Sequence, residues 1–179
     1  MTSKKLFNHK KDKNKGYLFW ITGLSGAGKT SIAKLINKDI SKQFGRTMVI
    51  NGDDLRNIFK LDNYDPVSRL NYGKQYCKLL KFLTDQNINV IFTVVGLFEE
   101  LREWNKQNIK NYCEIYIKSN ISTIKKFGKK KKIYKNKNKN IVGLQIKPEF
   151  PKRPHIVINN NFKKDLKFLS KKLLNKILK

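Results

Sequence analysis

The sequence predicts an α/β domain: a doubly wound, mostly parallel sheet with helices on both faces. Three observations predict it. Apolar runs of strand length alternate with stretches of helical periodicity along the 179 residues. The strand-like runs, YLFWIT (17–22) and INVIFTVV (88–95) above all, are almost continuously apolar, as in strands buried on both faces. The first of them runs straight into a glycine-rich turn that opens a helix, GLSGAGKT (23–30).

Taken in order, residues 1–16 are basic and polar, with no apolar stretch long enough for a signal peptide. They are expected as a frayed lead-in to a single domain over 17–179. YLFWIT is the first strand. From Lys29 to about Phe44, Ile32, Leu35, Ile36 and Ile40 recur at helical spacing, and Gly45 is a natural stop. TMVIN (47–51) is a short strand. Asp65-Pro66 starts a helix to about Gln86, with Leu70, Cys77, Leu80 and Leu83 on its apolar positions. A buried strand at 88–95, a helix at 97–109 and a strand at 112–118 follow. HIVIN (155–159) is the last strand. A final helix at 162–178 strings Phe162, Leu166, Leu169, Leu173 and Ile177 along one stripe. A basic amphipathic helix can lie on a membrane; here the stripe is expected to close the domain. One segment breaks the alternation. KKFGKKKKIYKNKNKN (125–140) is nearly all Lys and Asn, too poor in apolar residues to pack, and is expected as an exposed excursion. It returns through IVGLQIKPEFPKRP, where three prolines enforce an extended path.

Composition excludes several functions. The formal charge is +27, yet of 40 basic residues only Arg46, Arg56, Arg69, Arg102 and Arg153 are arginines. Lys, Asn and Ile enriched together read as the codon usage of an AT-rich genome, whereas base-specific readers favour the planar fork of Arg. No specific nucleic-acid partner is expected, although the charge draws in anionic substrates such as nucleotides. Two cysteines, Cys77 and Cys113, make no disulfide framework, and with two histidines they make no metal cluster. No run of 18 apolar residues offers a membrane span. The chain is expected in the cytoplasm.

GLSGAGKT matches G-x-x-x-x-G-K-[ST] in the strand-to-helix context that gives the pattern its meaning. Main-chain N–H groups of Gly23, Leu24, Ser25, Gly26, Ala27 and Gly28 turn inward around phosphate oxygens, and the helix end adds its dipole. Lys29 reaches the β- and γ-phosphates, with little structural duty expected of it, and the Thr30 hydroxyl holds Mg²⁺. ATP and Mg²⁺ are therefore the expected cofactors. At the end of the second strand INGDDLR brings Asp53 and Asp54 to the same rim. Asp53 there either orients or deprotonates an attacking hydroxyl, or helps hold Mg²⁺, or simply caps the next helix; the sequence leaves these open.

At GLSGAGKT and INGDDLR the chain resembles the adenylylsulfate (APS) kinase family, and the resemblance runs from about Tyr17 to Asn160. It implies a P-loop NTPase-type kinase with a lid, here basic and spanning about 125–145. It implies transfer of the γ-phosphoryl group of MgATP to the 3′-hydroxyl of adenosine 5′-phosphosulfate, with Lys29 and Asp53 catalytic. The family's LDGDNxR corresponds to residues 50–56, its acceptor-side aromatic and "DR" arginine to Tyr64 and Arg69, and its lid tyrosine to Tyr134. Arg56, Tyr64, Arg69 and Tyr134 are thus the implied acceptor residues. The return GLQIKPEFPKRPHI keeps Gly143, Glu149, Pro151 and Pro154 in step. The departures fall on the acceptor half. The first Asp of DGD is Asn51, an Asn three residues after the "DR" Arg is Tyr72, and FISPYR reads VVGLFEE, which substitutes Gly96, Leu97 and Glu99 for Ser, Pro and Arg. The Asp of the family's GID is Gln145. Phe98 and EWN resemble a branch found among surface-polysaccharide genes. That branch implies the alternative acceptor, cytidine diphosphoramidate in capsule synthesis. Further alternatives are a basic nucleic-acid-binding NTPase and an inactive nucleotide-binding homologue. For partners, the reading is a small-molecule nucleotide acceptor and no membrane, with a homodimer left open.

Overall fold

A computed structural model describes residues 15–129, 131–134 and 140–179. Most of the expected polar lead-in (1–14) and part of the Lys/Asn-rich segment (130 and 135–139) lie outside the described residues. Five strands form one parallel sheet: β1 (Tyr17–Thr22), β2 (Thr47–Asn51), β3 (Asn89–Val94), β4 (Asn111–Lys118) and β5 (Ile156–Asn159), in the order β2-β3-β1-β4-β5. The helices are α1 (Lys29–Phe44), α2 (Gly52–Ile58), α3 (Pro66–Asp85), α4 (Glu99–Asn108), α5 (Ile121–Phe127) and α6 (Leu166–Ile177), with a 3₁₀ turn at Lys131–Tyr134.

The doubly wound expectation holds, and the alternation of β1 shows why. Phe19 and Ile21 point to one face, where Ile32 and Ile36 of α1 and Leu173 of α6 meet them. Leu18 and Trp20 point to the other, against Tyr76 and Leu80 of α3 and Leu101 of α4. Both faces are covered, so every strand residue of β1 is buried.

Helix ends follow local chemistry. α1 stops at Gly45, whose φ of 93° suits glycine alone. The Asp65 carboxylate accepts from the Ser68 N–H, and Pro66 sits in the first turn of α3. The last helix starts later than its hydrophobic stripe suggests. Asp165 accepts from the Phe168 N–H at 2.7 Å and fixes the start at Leu166. Phe162 lies outside the helix at φ 62° and still packs against the core. The expected domain-closing role of α6 stands, because Leu169, Leu173 and Ile177 are buried against the sheet side that carries α1. Among the described residues, no helix is long and apolar enough to cross a membrane.

The Lys/Asn-rich segment is less uniformly exposed than expected. Its first residues, Lys125–Phe127, finish α5, whose Ile124 is buried, and Tyr134 is buried as well. Tyr134 reaches the loop after β1.

Candidate active site

The loop between β1 and α1 turns on glycines at positive φ, Gly23 (148°), Gly26 (80°) and Gly28 (97°). These are backbone shapes that L side chains rarely adopt. Space forbids substitution too: a Cβ at Gly23 would stand 2.5 Å from the Ile117 carbonyl oxygen. Lys29 is buried, and its Nζ donates to the carbonyls of Gly23 and Leu24, each at 2.9 Å. The expectation of little structural duty for Lys29 needs correction, because it closes the loop on itself. Two further side chains brace the loop from outside the motif. Asn160, just after β5, donates to the Ala27 carbonyl at 2.9 Å. Tyr134 donates from Oη to the Ser25 carbonyl at 2.9 Å. Burial pushes the Tyr134 phenol up to about 12, so it stays a donor at any working pH.

Beyond the loop, a polar chain links the strand ends. Thr30 Oγ1 and Thr93 Oγ1 lie 3.4 Å apart, Thr93 donates to Asn51 Oδ1 at 2.6 Å, and Asn51 Nδ2 donates to Asp54 Oδ2 at 2.6 Å. Asn51 therefore accepts on one side and donates on the other, which an aspartate could not do while ionised. Asp53 is not the residue that caps α2: that position is Asn51, and Asp53 and Asp54 occupy the first turn.

Asp53 stands where two cavities meet. The larger, about 340 Å³, is lined by Lys29, Thr30, Thr93, Phe127, Asn160 and Phe162, among others. The smaller, about 60 Å³, is lined by Arg56, Arg69, Tyr72, Tyr76 and Trp20, with Gly96 at its edge. Asp53 lines both, as do Val94 and Val95 at the end of β3.

Of the four residues implied for the acceptor, Arg56, Tyr64 and Arg69 lie together. The Arg56 guanidinium sits 4.3 Å from the Tyr64 ring centre and 5.2 Å from that of Tyr72, and Arg69 is 5.1 Å from Tyr64. Part of each fork is already engaged. Arg56 Nη1 donates to the carbonyls of Leu61 and Asn63, and Arg69 donates to those of Tyr64 and Asn140. Burial, and then the neighbouring Arg56, lowers the Arg69 pKa; two cations held side by side suit an anion. Tyr134, implied as an acceptor residue, is joined to the phosphate loop instead of this cluster. Leu97 is buried, and Glu99 pairs with Lys152 at 3.1 Å on the surface. The carboxylate of Glu149 accepts from the Glu99 N–H and tops α4.

Gly96 explains its own departure. At φ 39°, a Cβ there would stand 2.6 Å from Val94 Cγ1 and 2.9 Å from Trp20 Cζ2. The space a serine side chain would need is filled by the indole.

With this geometry the chain can be set beside known proteins. The adenylylsulphate kinase family model matches residues 15–159. The chain belongs to the adenylylsulphate kinase family. The cytidine diphosphoramidate kinase of Campylobacter jejuni is 32% identical over 167 residues, covering 90% of this chain and 98% of the relative. The adenylyl-sulfate kinase of Thermodesulfovibrio yellowstonii is 30% identical over 151 residues, covering 81% and 76%. Among solved structures, the Mycobacterium tuberculosis APS kinase in complex with AMPPNP and APS superposes with a TM-score of 0.79 at 18% identity, covering 92% of this chain and 99% of that one. Shikimate kinase from Acinetobacter baumannii shares the fold at a TM-score of 0.60 and 13% identity, covering 92% and 94%. As a family member this protein is a P-loop kinase.

Sequence reasoning missed several residues that line the two cavities. Thr93 carried a signal, a polar residue near the carboxyl end of an apolar strand, and so did Asn160, directly after HIVIN. Phe127, Phe162, Trp20 and Tyr76 carried none, because aromatic residues at strand or helix spacing read as core.

Proposed function

We propose that this protein transfers the γ-phosphoryl group of ATP to a ribose hydroxyl of a nucleotide 5′-derivative, and that the acceptor is cytidine diphosphoramidate. One observation carries the transfer: Asp53 borders both the cavity of the phosphate loop and the smaller cavity of the paired arginines. A carboxylate at that junction takes the proton of an acceptor hydroxyl as its oxygen meets the phosphorus.

The residues present fit MgATP. The loop turns on glycines whose positive φ and close packing leave no room for a side chain, Lys29 borders the cavity, and the Thr30 hydroxyl and Asp53 carboxylate offer the hard oxygen donors Mg²⁺ takes. When bound, the metal neutralises phosphate charge and aligns the transferring group. Lys29 stabilises charge on the transferred phosphoryl group, and the free donors of Arg56 and Arg69 hold the acceptor's anionic substituent. Lys129, which lines the large cavity, belongs to a lid that excludes water.

For the acceptor, the cytidine compound is supported by similarity over nearly the whole length of a relative named for that substrate. The tight packing at Gly96, where the resemblance expects serine, also supports it. Adenosine 5′-phosphosulfate is the second reading, favoured by the family match and by the retained Tyr64, Arg56 and Arg69. Steady-state kinetics on both compounds with MgATP separate them. A higher kcat/KM for cytidine diphosphoramidate is expected; a higher value for adenylylsulfate promotes the second reading; transfer to neither overturns the proposal.

A further inference from the structure

Two residues that line the smaller cavity each carry a buried polar atom with no explanation in the fold. Trp20 is fully buried and Tyr76 is 4% exposed. The indole Nε1 and the Tyr76 Oη both lack a hydrogen-bond partner among the described residues. Both side chains line the same cavity, flank Phe92 at ring-centre distances of 5.1 and 6.0 Å, and share it with Arg56 and Asp53. The unpaired amide of Asn105, by contrast, belongs to α4 and lines neither cavity. Buried donors are almost always paired, so two unpaired donors on residues that line one cavity point to an absent acceptor of hydrogen bonds.

Size and charge define that acceptor. About 60 Å³ takes a compact group of a few heavy atoms, not a nucleobase with its sugar. The exposed ring of Tyr64 at the arginine cluster leaves room for larger parts outside. Two neutral donors beside the Arg56 guanidinium suit the oxygens of a tetrahedral oxyanion. Burial raises the Tyr76 pKa, which keeps the hydroxyl protonated and donating.

We propose that Trp20 Nε1–H and Tyr76 Oη–H form the floor of the acceptor site and donate to the oxygens of the small terminal group on the acceptor's 5′ substituent. They thereby select a nucleotide that carries a sulfuryl- or phosphoryl-type end group over one that stops at its first phosphate. The inference rests on the kinase reading above and goes beyond it, since it assigns two residues that the resemblance does not.

The test uses the full-length protein with MgATP. KM is measured for cytidine diphosphoramidate and for adenosine 5′-phosphosulfate, and Ki for CMP and AMP as competitors of the acceptor. Tyr76→Phe removes only the hydroxyl. It is expected to raise the acceptor KM about tenfold or more, the size of one hydrogen bond to a charged group. KM for ATP and Ki for the monophosphates stay unchanged. Tm does not fall, because no bond within the protein is lost. Trp20→Phe is expected to give the same split, with a lower Tm from its smaller ring. The compound on which the Tyr76 effect appears identifies the end group as sulfuryl or phosphoramidate. An unchanged acceptor KM in Tyr76→Phe, or an equal loss for the monophosphates, overturns this inference and leaves the kinase reading intact. Failure of the unsubstituted enzyme to use either acceptor overturns both.

Discussion

On one side of Asp53 the phosphate loop takes its shape from main-chain geometry; on the side of the paired arginines the cavity takes its shape from side chains. The phosphate loop is shaped by glycines at positive φ and by carbonyls that Lys29, Tyr134 and Asn160 hold in place. The arginine side is shaped by Arg56 and Arg69 lying over the rings of Tyr64 and Tyr72, and by Trp20 and Tyr76, which pack on Phe92. Main-chain geometry admits few sequences, so a phosphate site of this kind keeps one spelling. A side-chain wall can be rebuilt by exchanging residues, so acceptor specificity is free to drift. In the resemblance read from the sequence, the glycine-rich loop keeps its spelling while Tyr72, Gly96 and Leu97, which line the smaller cavity, depart from it.

Four substitutions break or sharpen that contrast. Asp53→Asn, at the junction, should have the largest effect, a fall in kcat of about 10²–10⁴-fold with KM for ATP nearly unchanged. Stopped-time assays with labelled ATP measure it, and a variant that loses only thermal stability would leave Asp53 a structural residue of α2. Next, Lys29→Ala should cost about 10²–10³-fold in kcat. Because Lys29 also ties the Gly23 and Leu24 carbonyls, its Tm should fall slightly as well. Near-normal turnover would put ATP elsewhere.

Gly96→Ser tests the side-chain wall. The new Cβ has no room beside Trp20 and Val94 and stands at a positive φ, so unfolding should become easier by about 1–3 kcal/mol. Acceptor KM should rise while KM for ATP holds; an unaffected Tm would mean that Trp20 gives way. The smallest effect is expected from Tyr134→Phe, which removes one donor to the loop and should cost about 1 kcal/mol and a modest rise in KM for ATP. The phenol pKa is raised from 10.0 to about 12 in the folded protein. Its contribution to stability is therefore fully present below pH 10 and is lost as pH climbs through 12. Denaturant titrations of both proteins across that range should converge at the alkaline end.

Much of the fold could be read from the chain because β1, β3 and α1 carry strong periodic patterns, and the loop could be read because its glycines answer a backbone demand. The seven residues of α2 were not read as a helix, since two turns carry no periodic stripe. The start of α6 was misplaced because Phe162 continues the hydrophobic stripe while Asp165 sets the cap. Tyr134 was expected on an exposed excursion, and no local pattern could reveal a partner 109 residues away in sequence. Trp20 and Tyr76 were invisible as site residues for the same reason: only the folded neighbourhood shows their polar atoms to be unpaired.

The strand order carries a consequence of its own. The loop follows β1 and Asp53 follows β2, but β3 runs between those strands. Neighbouring strands lie about 4.8 Å apart, so the two reacting ends are set roughly 10 Å from each other, a span that a phosphate chain and an incoming hydroxyl bridge between them. This spacing belongs to the sheet's own hydrogen bonds, not to any surface residue. A genome can therefore load the exterior with lysine and asparagine, as this one has, while the reaction keeps its ruler.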